Sequence, residues 1–250
     1  MSTQVQNTSQ MRELRLTAMA QGYELQVEQP KLHQLAFDDR LGLLLEVEVA
    51  ARKSRKLNRL VKVATFPESA SLEDLDLRAS RGLDKAFVAA LSSCSWIARR
   101  QNLIIVGATG LGKSWLACAL GQQACRLGMS VSFHRVSDLY TAIAESQLDG
   151  TLPKLRAGLL KPDLLVLDDF GIGEMPPMAA QVLYDVAERR IRTGSLLITS
   201  QYPTDKWHSF FPDPTIADAV LDRTVHQAHR IQLKGESMRK LRGKALLAGS

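Results

Sequence analysis

The chain has 250 residues, of which 45% are hydrophobic and 23% are charged, and its formal net charge is +6. This composition is ordinary for a soluble globular protein, and no apolar run approaches the ~20 residues that a membrane-spanning helix needs. The polar N-terminus does not resemble a secretory signal. Three cysteines without metal-ligand spacing favour the reducing cytoplasm.

The N-terminal part of the chain has helical patterns. A first helix is predicted through residues 14–25, before Pro30, and a longer one from Asp38 to Ala64. At ~100° per residue, the second half of the long helix has a cationic face. We therefore predict a helical N-terminal domain over residues 1–66 and a linker over residues 67–80. The cationic face consists of Arg52, Lys53, Arg55, Lys56, Arg59 and Lys62.

From residue 81 onward, helical patterns alternate with short apolar runs that favour buried strands. Continuous apolar strands separated by helices are typical of a parallel sheet that is covered by helices on both faces. We therefore predict an α/β domain over residues 81–250, with five parallel strands and a short basic C-terminal tail. The strands are predicted at residues 102–106, 131–134, 164–167, 196–199 and 230–233.

A glycine-rich segment follows the first of these strands and precedes a predicted helix. It matches the phosphate-loop pattern of G-x4-G-K followed by Ser or Thr. In such a loop backbone N–H groups surround the β-phosphate, Lys113 reaches the β- and γ-phosphates, and Ser114 binds Mg²⁺. The chain has no Asn-Lys-x-Asp guanine motif, so ATP is the predicted nucleotide. The predicted nucleotide-binding residues are Gly107, Ala108, Thr109, Gly110, Leu111, Gly112, Lys113, Ser114 and Trp115.

Two carboxylates follow the third predicted strand, about fifty residues beyond the phosphate loop. Asp168, at the end of the apolar run, is predicted to hold the Mg²⁺ through water. Asp169 is then placed to orient or deprotonate the water that attacks the γ-phosphate. The alternative is that the two carboxylates only cap the turn at Phe170 and Gly171.

Five segments, at residues 107–114, 167–171, 198–208, 218–226 and 229–239, together resemble the IstB-type ATPases. These are helper proteins encoded beside the transposase of certain bacterial insertion sequences. The similarity covers residues 11–242. It implies an AAA+ protein of the clade that contains the DnaC helicase loaders and the DnaA initiators, without a C-terminal lid domain.

The resemblance also implies roles for single residues. Gln201 takes the sensor-1 position, where a polar side chain contacts the γ-phosphate, although other AAA+ proteins usually have Asn there. Arg223 takes the position of the arginine finger, which reaches the ATP of the adjacent subunit. The alternative for Arg223 is a surface ion pair with Asp218 or Asp222. Arg239, in the basic tail, is a candidate for contacts that a lid makes in larger AAA+ proteins.

The function that the resemblance implies is that of a bacterial cytoplasmic ATPase. It would oligomerise on double-stranded target DNA, without strong sequence preference, and recruit or stimulate a transposase. The alternatives are a helicase-loading ATPase and a small-molecule kinase. Basic residues on the cationic helix and on the helix pair at 137–146 and 151–160 either contact DNA phosphates or are only solvated. The N-terminal region is alternatively the surface that meets the transposase. The predicted DNA contacts are Arg52, Lys53, Lys56, Arg59, Lys154 and Arg156.

Overall fold

The computed structural model describes residues 3–77, 82–226 and 228–238. The chain forms two compact units, residues 1–59 and residues 60–250. The division between them falls within a long helix, a few residues before the boundary predicted at residue 66. Arg239 and the residues that follow it in the basic tail lie outside the described residues. In the part of the chain that the structure describes, no helix is long and apolar enough to cross a membrane.

Three α-helices build the N-terminal unit: α1 (Thr3–Glu13), α2 (Thr17–Glu28) and α3 (Phe37–Ala64), with a 3-10 turn at Pro30–Gln34. The prediction of one continuous helix through residues 14–25 was wrong. Arg15 has a left-handed φ of 59°, and the N–H group of Leu16 donates to the carbonyl of Met11 at 2.8 Å. This is the hydrogen-bond pattern with which helices commonly end.

Helix α2 is capped by a residue from another helix. Leu16, at its N-cap position, has no side-chain acceptor for the first N–H groups. Glu48 of α3 supplies one, because its carboxylate accepts from the N–H groups of Ala18 at 3.0 Å and Met19 at 3.1 Å. The negative charge also lies favourably at the positive end of the helix dipole. Glu48 thereby connects α2 to α3 within this unit.

The second unit contains a parallel five-stranded sheet in the order β2-β3-β4-β1-β5, which confirms the predicted architecture. Each of the first four strands is followed by helices that return the chain. All strand pairs are therefore parallel, and the carboxyl ends of the strands lie at one edge of the sheet. The elements of this unit are α4 (Lys85–Ser92), α5 (Ser95–Ala98), β1 (Asn102–Val106), α6 (Lys113–Arg126), β2 (Val131–Arg135), α7 (Val136–Leu148), α8 (Leu152–Leu160), β3 (Leu164–Phe170), α9 (Pro177–Arg190), β4 (Ser195–Ser200), α10 (Pro214–Val225) and β5 (Ala228–Gln232), with 3-10 turns at Leu72–Asp74 and Thr204–Phe210.

Apolar side chains on both faces of the sheet are buried, as continuous apolar strands predict. Ile104, Leu165 and Ile198 belong to one buried cluster with side chains of α7, α9 and α10. The alternate strand residues Leu103 and Val166 are fully buried as well and point to the opposite face. Helix α6, which follows the phosphate loop, contacts β3 and β4. This packing fixes the start of α6 beside the carboxyl ends of β1, β3 and β4.

Candidate nucleotide site

The phosphate loop owes its shape to glycines in left-handed conformations. Gly110 has a φ of 85° and Gly112 a φ of 84°, values that residues with a Cβ rarely adopt. Gly112 immediately precedes α6, so the loop places the N-terminus of that helix toward any bound anion. Lys113 is buried, with 5% of its surface exposed, and its Nζ donates to the carbonyl of Ala108 at 3.2 Å.

A cavity of about 380 Å³ opens beside this loop, a volume within the range of nucleotide-sized ligand sites. One part of its wall consists of phosphate-loop residues together with side chains from the ends of β3 and β4. The other part consists of Trp115, residues of the segment after α3, and a residue beyond β5. The lining residues are Thr109, Gly110, Gly112, Lys113, Ser114, Asp169 and Gln201 in the first part, and Glu68, Asp74, Asp76, Trp115 and Met238 in the second.

Asp168 is almost completely buried next to this cavity, with 1% of its surface exposed. Its Oδ1 accepts a hydrogen bond of 2.6 Å from the Thr199 hydroxyl, whereas its Oδ2 has no hydrogen-bond partner among the described residues. Burial raises the pKa of Asp168, and the hydroxyl groups of Thr199 and Ser114 oppose that effect. A buried, unsatisfied carboxylate oxygen near a serine hydroxyl offers the hard oxygen ligands that Mg²⁺ prefers.

Asp169 and Gln201 complete the wall around the phosphate end of the cavity. Asp169 adopts a left-handed φ of 61° and its side chain lines the cavity. Gln201 accepts a hydrogen bond of 2.7 Å from the hydroxyl of Thr109, which connects the end of β4 to the phosphate loop. The structure therefore brings together the residues predicted for phosphate, metal and water. The side chain of Asp168 contacts Thr199 rather than capping the turn at residues 170–171.

Arg223 lies elsewhere, near the end of α10, and does not line this cavity. Its Nε forms an ion pair with Glu188 of α9, and its Nη1 donates to the carbonyl of Ala219 at 2.8 Å. Arg223 therefore forms a surface ion pair, which was the alternative to its role as an arginine finger. However, its acid is Glu188, rather than Asp218 or Asp222.

The predicted DNA contacts differ in their surroundings. Arg52 forms an ion pair of 2.8 Å with the buried Glu48, and Arg156 forms one of 3.0 Å with Asp185 of α9. Lys154 lines a second cavity, of about 440 Å³, between β2, α7 and α8. The remaining cations of α3 in this set have no salt bridge within the described ranges: Lys53, Lys56 and Arg59.

Sequence reasoning missed three kinds of lining residue. Thr199 contacts the Asp168 carboxylate and the backbone N–H of Asp169. Met238 reaches the cavity from beyond β5, and Glu68, Asp74 and Asp76 enter from the segment after α3. Only the first had a visible signal, since three polar residues in succession, at 199–201, end an otherwise apolar strand. The others depend on how distant segments fold back.

The parallel sheet carries a phosphate loop after β1, a pair of carboxylates at the end of β3 and a polar residue just beyond β4. Together with the strand order β2-β3-β4-β1-β5, these features define a P-loop protein of the AAA+ class. The chain matches the family model of the IstB-like ATP binding proteins over residues 9–245. It belongs to that family.

Relatives support this membership along the chain. An insertion sequence ATP-binding protein of Sinorhizobium fredii is 43% identical over 225 residues, which are 90% of this chain and 92% of the relative. The insertion sequence IS1162 ATP-binding protein of Pseudomonas fluorescens is 43% identical over 197 residues, covering 78% of this chain and 85% of the relative.

Solved structures show the same fold at low sequence identity. The crystal structure of DnaI matches with a TM-score of 0.57 and 20% identity, covering 66% of this chain and 91% of that one. DnaA from Aquifex aeolicus, bound to AMPPCP, matches with a TM-score of 0.56 and 18% identity, covering 74% of this chain and 56% of that one. These likenesses show a shared fold and carry no functional conclusion.

Proposed function

We propose that this protein is an ATP-hydrolysing helper of an insertion-sequence transposase, which assembles on DNA while ATP is bound and is released by hydrolysis. The observation that supports this most directly is the cavity that Lys113, Ser114, Asp169 and Gln201 share, next to the unsatisfied carboxylate oxygen of Asp168. The relatives that carry the printed description of insertion sequence ATP-binding proteins supply the biological context.

The residues of the cavity divide the chemistry between them. Loop N–H groups and the Lys113 ammonium bind the phosphates, because both present positive charge to an anion. When bound, Mg²⁺ neutralises negative charge that develops on the phosphate oxygens, and Ser114 and Asp168 are the side chains that would hold it. A carboxylate oxygen of Asp169 accepts the proton of the attacking water. Gln201 hydrogen bonds to Thr109 and so keeps the end of β4 at the phosphate loop.

The hydrolytic role of Asp169 is tested by Asp169→Asn, which keeps the size of the side chain and removes its basicity. We expect ATP to bind normally and hydrolysis to slow by about 10²- to 10⁴-fold, the usual contribution of a general base. Hydrolysis is measured as phosphate release, with Asp205→Asn, on the exposed turn after β4, as the matched control. Wild-type hydrolysis by Asp169→Asn would contradict the assignment.

Assembly is tested through Arg223, which we propose acts on the ATP of the neighbouring subunit. Arg223→Ala and Asp169→Asn should each be poor ATPases alone. A mixture should recover part of the activity, because some interfaces combine an intact Asp169 with an intact Arg223 from the neighbour. A mixture no more active than its components would contradict a role in trans.

DNA binding is proposed to be electrostatic, because the basic residues of α3 can replace cations condensed on the duplex. We expect Lys56→Ala or Arg59→Ala to weaken binding to all duplex sequences alike and to reduce the slope of log K against log salt by about one. Arg156→Ala should change the slope less, since Arg156 is paired with Asp185. Fluorescence anisotropy with labelled duplexes measures this, and equal slopes for wild type, Lys56→Ala and Arg59→Ala would contradict the proposal.

Partner choice is tested by co-assembly with ATP and DNA. A purified transposase of the insertion sequence that carries this chain should join the assembly only with ATP and wild-type protein. A purified replicative helicase serves as the competing partner. Capture of the helicase in place of the transposase would replace the transposition role with helicase loading, which is the alternative function.

A further inference from the structure

Strand β3 is irregular at the two carboxylates. Leu167 pairs with Ile198 of β4, and Phe170 pairs with Ser200, so the register shifts between these two pairs. Two residues of β3, Asp168 and Asp169, therefore stand opposite the single residue Thr199. Two residues facing one is the definition of a β-bulge, and bulges redirect side chains next to active sites.

The bulge decides where the carboxylates point. In a regular strand, adjacent side chains point to opposite faces of the sheet, which would place one of the two carboxylates away from the phosphate loop. Here Asp169 has a φ of 61° and its side chain lines the nucleotide cavity. Asp168 is buried beside the Ser114 hydroxyl. Both carboxylates thus serve the same site.

Thr199 fills the position opposite the bulge. It is fully buried, and its hydroxyl donates to Oδ1 of Asp168 at 2.6 Å. The same hydroxyl oxygen accepts from the backbone N–H of Asp169 at 2.9 Å. A hydroxyl has one proton and two lone pairs, so both contacts can exist together, with the proton directed to Asp168. One side-chain atom thereby connects to both acidic residues.

We propose that Thr199 is a positioning residue for ATP hydrolysis. Its hydroxyl orients the Asp168 carboxylate so that Oδ2 faces the cation position, and it holds the backbone of Asp169 in the conformation that points its side chain to the attacking water. The adjacent Ser200 supports the same segment, since its hydroxyl donates to the carbonyl of Phe170 at 2.7 Å. This inference rests on the proposed function.

The test compares Thr199→Val with Thr199→Ser. Valine keeps the branched shape and loses the hydroxyl, whereas serine keeps the hydroxyl and loses the methyl group. Ser195→Ala is the control, because it removes another buried hydroxyl at the opposite end of β4, one that donates to the carbonyl of Ile97 at 3.4 Å. Two quantities are measured: the kcat of ATP hydrolysis, and the affinity for a fluorescent, non-hydrolysable ATP analogue with and without Mg²⁺.

We expect Thr199→Val to lower kcat by about 10- to 100-fold, the usual effect of losing a residue that orients a metal ligand. The gain in analogue affinity on adding Mg²⁺ should shrink, while Mg²⁺-free affinity should stay at the wild-type value, which also reports that the site is folded. Thr199→Ser and Ser195→Ala should resemble wild type in both measurements.

Two results would overturn the inference. The first is a Thr199→Val protein with wild-type kcat and a wild-type response of analogue affinity to Mg²⁺. The second is a Thr199→Ser protein as impaired as Thr199→Val, because the methyl packing rather than the hydroxyl would then be responsible. If the wild-type protein did not hydrolyse ATP, the proposed function would fail, and the response of analogue affinity to Mg²⁺ would still test Thr199.

Discussion

The guanidinium of Arg223 is held inside its own subunit by the carboxylate of Glu188, a residue of the preceding helix α9. The arginine also lies over the ring of Tyr184, with its Cζ 5.7 Å from the ring centroid. Only 25% of its side chain is exposed. If Arg223 acts on the ATP of a neighbouring subunit, it has to leave Glu188 first, so this ion pair opposes the active arrangement.

Replacing Glu188 with Gln should therefore raise the ATPase activity of the assembled protein. Partly exposed ion pairs contribute up to about 1 kcal/mol, which corresponds to an increase of at most about fivefold in steady-state phosphate release on DNA. The control is Glu188→Gln combined with Arg223→Ala, which should be as slow as Arg223→Ala alone. An equal increase in that double variant would show that Glu188 acts independently of Arg223.

A second prediction concerns the buried cation Arg190, at the end of α9, and its contribution to stability. It has 1% of its surface exposed, and burial lowers its pKa to about 10, so it is charged at neutral pH. Its guanidinium donates to five backbone carbonyl oxygens, which join the end of α8 and the residues before β3 to the start of β4. We infer that Arg190 holds these loops together.

Arg190→Leu should lower the free energy of unfolding by about 3 kcal/mol or more, because buried carbonyls would lose charge-assisted hydrogen bonds. Arg190→Lys should rescue little, since an ammonium group lacks the planar set of donors. Urea unfolding monitored by circular dichroism measures the change, with the exposed neighbour Arg189→Leu as the control. Equal unfolding midpoints for the two leucine variants would contradict this role.

We expect the stability of the N-terminal unit to depend on pH through Glu48. Its hydrogen bond with Arg52, followed by those from the N–H groups of Met19 and Ala18, holds the pKa of Glu48 below its ordinary value. A carboxylate with a lowered folded-state pKa stabilises the fold above its unfolded-state pKa, about 4.3. That stabilisation is lost as the pH falls from there through the folded-state pKa.

Hydrogen exchange of the Ala18 and Met19 amides tests this dependence directly. Protection of these amides should be high at neutral pH and fall in acid below about pH 4.3. Glu48→Gln should lower the protection at neutral pH and flatten its pH dependence, whereas the exposed Glu46→Gln should match wild type. Wild-type protection in Glu48→Gln would mean that another group caps α2.

Local patterns in the sequence were sufficient for the sheet and the phosphate loop. Unbroken apolar runs predicted β1, β3 and β4, the three strands in the middle of the sheet, because a strand buried on both faces needs such a run. The edge strands β2 and β5 have mixed sequences and are only partly buried, and they were predicted from shorter patterns. The loop was predictable because the spacing of its glycines, lysine and serine follows from contact with phosphate. Strand β3 nevertheless runs to Phe170, beyond the end of its apolar run, so Asp168 and Asp169 lie within it.

Contacts between distant segments could not be predicted. Thr199 meets Asp168 across 31 positions of the sequence, and Arg223 meets Glu188 across 35. Such pairs depend on strand register and helix packing, which single-residue patterns do not specify. The same holds for Arg156, which the sequence predicts as a DNA contact or a solvated cation and which is paired with Asp185 in the structure.

Whether the phosphate loop binds the nucleotide is tested by equilibrium binding of a fluorescent ATP analogue to wild type and to Lys113→Ala. We expect about ten- to a hundredfold weaker binding by Lys113→Ala, since a charge-assisted contact to the phosphates is lost. The exposed variant Lys85→Ala should bind as wild type does. Equal affinities for Lys113→Ala and Lys85→Ala would contradict the claim that this loop holds the nucleotide.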